Sequence, residues 1–180
     1  MVLLMTDPCE PSAPQSNSQS KPTHTTDDGV VVRPAAGTHT GALADLHRRC
    51  SAETLYDRYH TGLHALPPRW AAALLAPAHG CAFVAEKDSA LVGYGQLIAT
   101  VHEPGLAEAS LLVEDAWQHR GVGAALLSSA CTAARSRGIT QLFGRSLGSR
   151  RGFERTARHL GLAVSTHSEP GVTIVDVKVP

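Results

Sequence analysis

The run Gln118-His119-Arg120-Gly121-Val122-Gly123-Ala124 holds the residue types and spacing that most directly permit chemistry in this chain. Two glycines two positions apart leave backbone amides uncovered by side chains. Leu126, Leu127, Ala130, Cys131 and Ala134 follow at helical core spacing, so the glycines open a helix expected from about Gly121 to Arg137. The first N–H groups of a helix have no partner inside it, and the dipole adds roughly half a positive charge there. A phosphate or pyrophosphate binds at such a place. Other glycine loops fit less well. Position 126 is leucine, so Gly-x-Gly-x-x-Gly is incomplete, and no Gly-Lys-Ser/Thr forms a P-loop.

The chain around this anion site is electrically balanced: Lys+Arg and Asp+Glu both number 16 in 180 residues. No global basic field points to nucleic acid or a membrane as partner. The basic residues are uneven, with Arg135, Arg137, Arg145, Arg150, Arg151, Arg155 and Arg158 crowding one region. They form either a solvated surface or a local attraction for a polyanionic small ligand. Cys9, Cys50, Cys81 and Cys131 are far apart and make no Cys-x-x-Cys pair, which suits a reducing cytoplasm better than a disulfide framework. The apolar start, Met1 to Met5, is too short for a signal peptide, and no stretch approaches the ~18 apolar residues of a spanning helix.

The elements that position the site can be read in order. Residues 1–28 are rich in Ser, Thr and Pro with almost nothing to bury, and read as a disordered tail before a single domain at 29–180. Val30 to Pro34 is a first strand. Three short helices follow: Gly41 to Arg49 behind Thr38 or Thr40 as cap, one after the N-cap Ser51, and Arg69 to Ala76 behind Pro67-Pro68. Strands at Cys81 to Glu86 and Leu91 to Ala99 flank a turn at Lys87 to Ala90, and Ala107 to Val113 makes the next. After the glycine helix come a strand from Ile139 to Phe143, a helix over Arg151 to Leu160, and a closing hairpin of Ala163 to Thr166 with Val172 to Val179.

This order, with the Gln-x-x-Gly-x-Gly segment between a strand ending in Leu112-Val113 and a helix, resembles the GNAT superfamily of acetyl-CoA-dependent N-acetyltransferases. The resemblance covers roughly Val30 to Pro180. It implies an α/β fold with a mixed, mostly antiparallel sheet flanked by helices. It also implies that the backbone of Gln118, His119, Arg120, Gly121, Val122, Gly123 and Ala124 holds the pyrophosphate of acetyl-CoA. Ser51-Ala52-Glu53-Thr54-Leu55-Tyr56-Asp57-Arg58-Tyr59 is similar to a segment of bacterial protein lysine acetyltransferases, and Ala107-Glu108-Ala109 to the start of their fourth strand. The acceptor implied is a primary amine, a protein lysine among the candidates.

An amine with a pKa near 10.4 must lose a proton before it attacks, so a base is required. The resemblance places a catalytic glutamate at Glu108, whose apolar neighbours predict partial burial. Backbone N–H groups at Leu112 or Val113 would polarise the thioester carbonyl. The sequence departs from the family at two places. Ala157 stands where many members carry the tyrosine that protonates the leaving sulfur, and Arg150 where many carry an asparagine touching the cofactor arm. Tyr94 is a substitute candidate for the tyrosine. These departures motivate a rival reading, an acyl-CoA-binding sensor or regulator with little catalysis. A nucleotide- or phosphate-binding protein using the same loop is another.

Other residues read as structural or open. His60 and His64 have a metal-pair spacing, but Gly62 lies between them and no third ligand is evident, so no metal is expected. Cys131 belongs to a helix core row. His119 faces phosphate or water, Trp117 packs under the loop in preference to stacking on adenine, and Tyr56, Tyr59 and Trp70 are core or groove lining.

Overall fold

A computed structural model describes residues 24–62, 65–147 and 151–180. Eight strands form one sheet in the order β1-β2-β3-β4-β5-β6-β8-β7. β1 is His24–Thr25, β2 Val31–Pro34, β3 Gly80–Lys87, β4 Ala90–Ala99 and β5 Leu106–Val113. β6 is Gln141–Leu147, β7 Val164–Glu169 and β8 Val172–Lys178. The helices are α1 Thr40–Arg49, α2 Ala52–Tyr59, α3 Pro68–Leu75, α4 Val122–Arg135 and α5 Gly152–His159. The order is the expected one with β1 added. All neighbouring strands pair antiparallel except β5 and β6, which are parallel.

Most of the expected tail lies outside the described residues, but its last part does not. His24–Thr25 pairs with Val31 and Val32 across a turn in which Thr26 accepts from Gly29 N–H. Gly29 takes φ +70° in that turn, so Asp28-Gly29 acts as a hairpin signal inside a polar stretch. The first described strand therefore precedes residue 29.

Alternation along β4 and β5 divides the core. Tyr94 and Gln96 face α1–α3, opposite Leu112 and Ser110 on β5. Tyr94 and Leu112 pack there with Leu43, Leu46, Leu55 and Leu75. Gly93, Gly95 and Leu97 face α4 on the other side. At Gly93 a Cβ would come within 3.0 Å of Val122 Cγ1 and 3.1 Å of Leu126 Cδ1. The missing side chain lets the first turn of α4 press onto the sheet, which fixes where that helix tip sits. At the Lys87–Ala90 turn Asp88 and Ser89 both have positive φ, as a two-residue hairpin connection requires.

Helix ends agree with local chemistry at some places and not at others. Ser51 caps α2, its Oγ accepting from Thr54 N–H at 3.1 Å. The cap expected at Thr38 or Thr40 does not form; α1 is preceded by His39 without a side-chain bond, and Thr40 Oγ1 donates back to Gly37 O. A 3₁₀ turn at Gly37–His39 occupies that place instead.

Candidate functional site

β5 and β6 are joined only from Leu106–Glu108 to Gln141–Phe143, and beyond Glu108 they part. β5 meanwhile stays paired to β4 as far as Val113. Glu114 N–H donates to Val92 O at 3.0 Å. Strand alternation then turns the Leu112 N–H toward β4 as well, and leaves the Leu111 and Val113 N–H groups facing the gap. Of the two amides expected to polarise a carbonyl, Val113 is the one aimed into the opening. Parallel strands that separate in mid-sheet create a slot lined by backbone donors, and this slot leads to α4.

The glycine loop sits at the slot's mouth. A 3₁₀ turn, Asp115–Trp117, carries the chain out of β5. His119 then takes φ +60° and Gly121 φ +80° before α4 begins. Gly121 is the N-cap and supplies no side-chain bond, so the first-turn amides of α4 have no side-chain acceptor. A Cβ at Gly123 would meet nothing closer than Thr156 Oγ1 at 3.6 Å. Internal packing therefore does not demand glycine there, and its absence of a side chain keeps the amides open to the cleft. Gln118, His119, Gly121, Gly123 and Ala124 line that cleft together with Leu112, Val113 and Glu108.

Three members of the loop are placed differently. Val122 is fully buried against the sheet, so only its backbone N–H is available. Arg120 points away from the cleft: its Nε donates to Asp28 at 2.8 Å and its guanidinium lies 4.2 Å from the Trp117 ring centroid. Gln118 lines the cleft, but its amide is spent inside the protein, donating to Thr54 Oγ1 at 3.1 Å and to Val113 O at 3.2 Å.

The cleft measures about 1260 Å³, more than the roughly 300–1,000 Å³ of a pocket for one small ligand. There is room for a donor and an acceptor side by side. Its second wall is α2, which contributes Thr54, Arg58, Tyr59 and the positive-φ residue His60. Asp115 fastens α2 to the glycine loop. It accepts from Ser51 N–H at 2.8 Å, Ser51 Oγ at 2.7 Å and Thr54 Oγ1 at 2.8 Å. Desolvation pushes the Asp115 carboxyl up, but these donors outweigh it and hold its pKa below the usual aspartate value. The sequence reading missed this clamp, because its partners lie more than 60 positions apart.

Glu108 stands where β5 and β6 separate, half-buried as expected, but its setting is not apolar. Arg145 Nη1 donates to Glu108 Oε2 at 3.0 Å, and the Arg145 guanidinium lies 5.2 Å from the Phe143 ring centroid. The arginine-rich region divides. Arg145, Arg151 and Arg155 line the cleft. Arg135, Arg137 and Arg158 instead bond Pro180 O, Ala133 O and Glu154. Arg150 lies outside the described residues.

Tyr94 does not serve as the missing tyrosine. It is fully buried on the α1–α3 side, away from the cleft lining, and its hydroxyl donates to Leu74 O at 2.6 Å. Burial pushes its pKa well up. Ala157 is on α5 and fully buried in the core. Tyr59 lines the cleft and bonds His47, whereas Tyr56 and Trp70 are about half exposed and belong to neither core nor cleft. Trp117 packs under the loop against the α4 cluster, and Cys131 is a core residue. His64 lies outside the described residues, and among those described no group of three His, Cys, Asp or Glu could hold a metal. No described helix is long and apolar enough to cross a membrane.

Comparison with known proteins comes to the same fold. The sequence matches the Acetyltransferase (GNAT) family over residues 43–150, and it matches no curated protein at a significant level. The GNAT domain of S. lividans PAT is similar, with a TM-score of 0.77 at 21% identity, covering 86% of this chain and 94% of that one. The paia N-acetyltransferase from Thermoplasma acidophilum, solved in complex with coenzyme A, gives a TM-score of 0.67 at 16% identity, covering 83% and 99%. A phosphinothricin acetyltransferase from Sinorhizobium meliloti, solved in complex with acetyl-CoA, gives 0.65 at 18%, covering 83% and 88%.

Proposed function

This chain belongs to the GNAT family of acetyltransferases, and we propose that it moves an acetyl group from acetyl-CoA to a primary amine by direct attack. The observation that carries this reading is the meeting of three features in one cleft. These are the open first turn of α4, the slot where β5 leaves β6, and the Glu108 carboxylate at the fork. The Val122, Gly123 and Ala124 amides hold the diphosphate, and the Val113 N–H polarises the thioester carbonyl. Glu108 accepts the amine proton, directly or through a water, and so must exchange its Arg145 partner for the acceptor. The thiol of the leaving coenzyme has a reference pKa near 8.5, so the thiolate departs with less help than an alkoxide would need. That fits a site in which Ala157 replaces a tyrosine.

Incubating the protein with acetyl-CoA and a panel of amines, lysyl peptides included, and following thiol release tests the reading. Amine-dependent release supports it. A second reading, an acyl-CoA sensor with little catalysis, is favoured by the buried Ala157 and the Glu108–Arg145 pair. It is indicated if acetyl-CoA binds and no amine provokes release. A cytoplasmic location belongs to the same proposal, supported by the free thiols of Cys50, Cys81 and Cys131.

A further inference from the structure

Arg58 lines the cleft on its α2 wall. Its Nη2 donates to Gln96 Oε1 at 3.2 Å, and its guanidinium lies 4.9 Å from the Tyr59 ring centroid and 6.0 Å from that of Tyr94. None of these neighbours carries negative charge. Gln96 is an amide, and burial pushes both tyrosine hydroxyls up, Tyr59 to about 12. The Arg58 Nε is enclosed by protein and has no hydrogen-bond partner. Among the described residues no carboxylate forms an ion pair with Arg58, whereas Arg33, Arg49 and Arg145 each have one. A guanidinium stays charged at any ordinary pH, and holding it half out of water without a counter-charge is costly. The ring faces and Gln96 fix its plane, which leaves a planar fork already set for a carboxylate.

Strand register gives the distance scale between this fork and the proposed base. Gln96 and Ile98 share one face of β4, and Glu108 is the cross-strand partner of Ile98. Gln96 and the Ile98–Glu108 pair are thus neighbouring rows, separated by a step of about 7 Å along the strand. With hydrogen bonds reaching inward from both ends, an anion and an amine only a few bonds apart fill that space.

From this arrangement we infer that Arg58 is the seat for a carboxylate on the acceptor, which is therefore a small amino acid-type amine rather than a lysine side chain in a protein. The inference rests on the proposed acetyl transfer, and deepens it by naming the acceptor class. An α-amino acid sets its carboxylate on Arg58 and presents its amine toward Glu108. A peptide-borne lysine has no carboxylate near its amine and leaves Arg58 unmatched.

The experiment is calorimetric titration of the full chain, saturated with coenzyme A, with the common amino acids, each beside its own carboxamide and beside a lysyl peptide. At least one amino acid should bind about 10- to 100-fold more tightly than its carboxamide, as a charge-assisted bidentate bond would give. Arg58→Gln should abolish the difference while coenzyme A binding stays unchanged, and Arg58→Lys should retain part of it. Should Arg58→Gln fail to fold, the wild-type comparison of acid with amide still decides. Equal binding of every acid and its amide, binding of the lysyl peptide alone, or a preference that survives in Arg58→Gln would overturn the assignment. Thiol release is read separately with the same compounds and acetyl-CoA. Release with lysyl peptide and no preference for carboxylates sinks the Arg58 seat and keeps the transferase. Carboxylate-dependent binding without release does the reverse. The chemistry of the amines works against the expected preference, because the carboxamide's amine, with no negative charge beside it, is the easier one to deprotonate.

Discussion

Glu108 and Arg145 lie on adjacent parallel strands at the point where those strands part, joined by an ion pair of 3.0 Å inside the cleft. Register explains the meeting. Glu108 is the last β5 residue with a partner on β6, opposite Phe143, and Arg145 is two positions further along β6 on the same face. The pair holds the carboxylate at the mouth of the slot and ties together the two edges of the opening.

If Glu108 takes the proton of the acceptor, Glu108→Gln keeps its size and its place at the fork but cannot serve as base. Acetyl-CoA affinity should stay within about twofold, while turnover with the best amine at neutral pH falls about 10²- to 10⁴-fold, the usual worth of a general base. Steady-state thiol release beside calorimetry reads both quantities. Unchanged turnover removes Glu108 from the role.

The two glycines of the loop should differ in what they do for stability. Gly121 has φ +80° with open space around it, so Gly121→Ala meets no clash but must hold a left-handed backbone, at a cost of about 1–2 kcal/mol. Gly123 has ordinary helical backbone and a Cβ there makes only van der Waals contact with Thr156, so Gly123→Ala should unfold within about 0.5 kcal/mol of wild type or above it. Urea melts of the two variants would show the contrast. A larger loss at 123 than at 121 would mean the loop is packed otherwise.

Asp115 fastens α2 to the loop, and its lowered pKa gives that clamp a pH dependence. The native carboxyl holds its proton less tightly than the unfolded one, so its contribution is present above the unfolded value near 3.9 and is lost as pH falls through the folded one. Asp115→Asn should be less stable than wild type at pH 7, and the gap should narrow toward about pH 3. Because α2 carries Arg58 and Tyr59, the same variant should raise the acceptor KM more than it changes kcat. A stability gap independent of pH would show that the charge of Asp115 is not what holds α2.

His47 gives a second pH signal at a different place. It is fully buried, its Nδ1–H donating to Leu43 O at 2.8 Å and its Nε2 accepting from the Tyr59 hydroxyl. Burial first, with the Arg58 charge adding to it, lowers its pKa below 6.5 despite the Leu43 bond. The unfolded state therefore binds a proton that the native state refuses. Stability is fully present above about pH 6.5 and falls as pH drops toward the folded pKa. Denaturant unfolding between about pH 7 and 5 should show that slope, and His47→Gln should flatten it. An equal slope in the variant would assign the effect to other groups.

The sequence carried the fold well where local chemistry decides it. Ser51 as a cap, the Lys87–Ala90 turn, the apolar row from Leu126 to Ala134 and the glycine loop were all legible, because each signal lies within one element. The site was legible only in part. The loop follows from motif spacing and Glu108 from the family resemblance, but Arg145 beside Glu108, Asp115 on Ser51 and Thr54, and Arg58 on Gln96 are products of register and helix docking. Partners 37 to 64 positions apart leave no periodic trace in one sequence. Gln118 and Arg120 show the converse. Both belong to the loop whose backbone was expected to meet a ligand, and the fold spends the side chain of one on Thr54 and that of the other on Asp28. β1 was missed because a polar Thr-Thr-Asp-Asp-Gly run reads as tail by composition and as a turn only by its glycine.

The account stands most directly on what fills the first turn of α4, and calorimetry of acetyl-CoA against wild type and Gly123→Glu reads it. The glutamate side chain enters the open side of the helix tip and puts a negative charge where a diphosphate would sit. Wild type should bind acetyl-CoA with a Kd between about 1 μM and 1 mM and prefer it to ATP and NAD, while the variant stays folded and binds at least about tenfold more weakly. Equal affinity in the two proteins, or no binding by wild type, would contradict the assignment of this helix tip as the donor site.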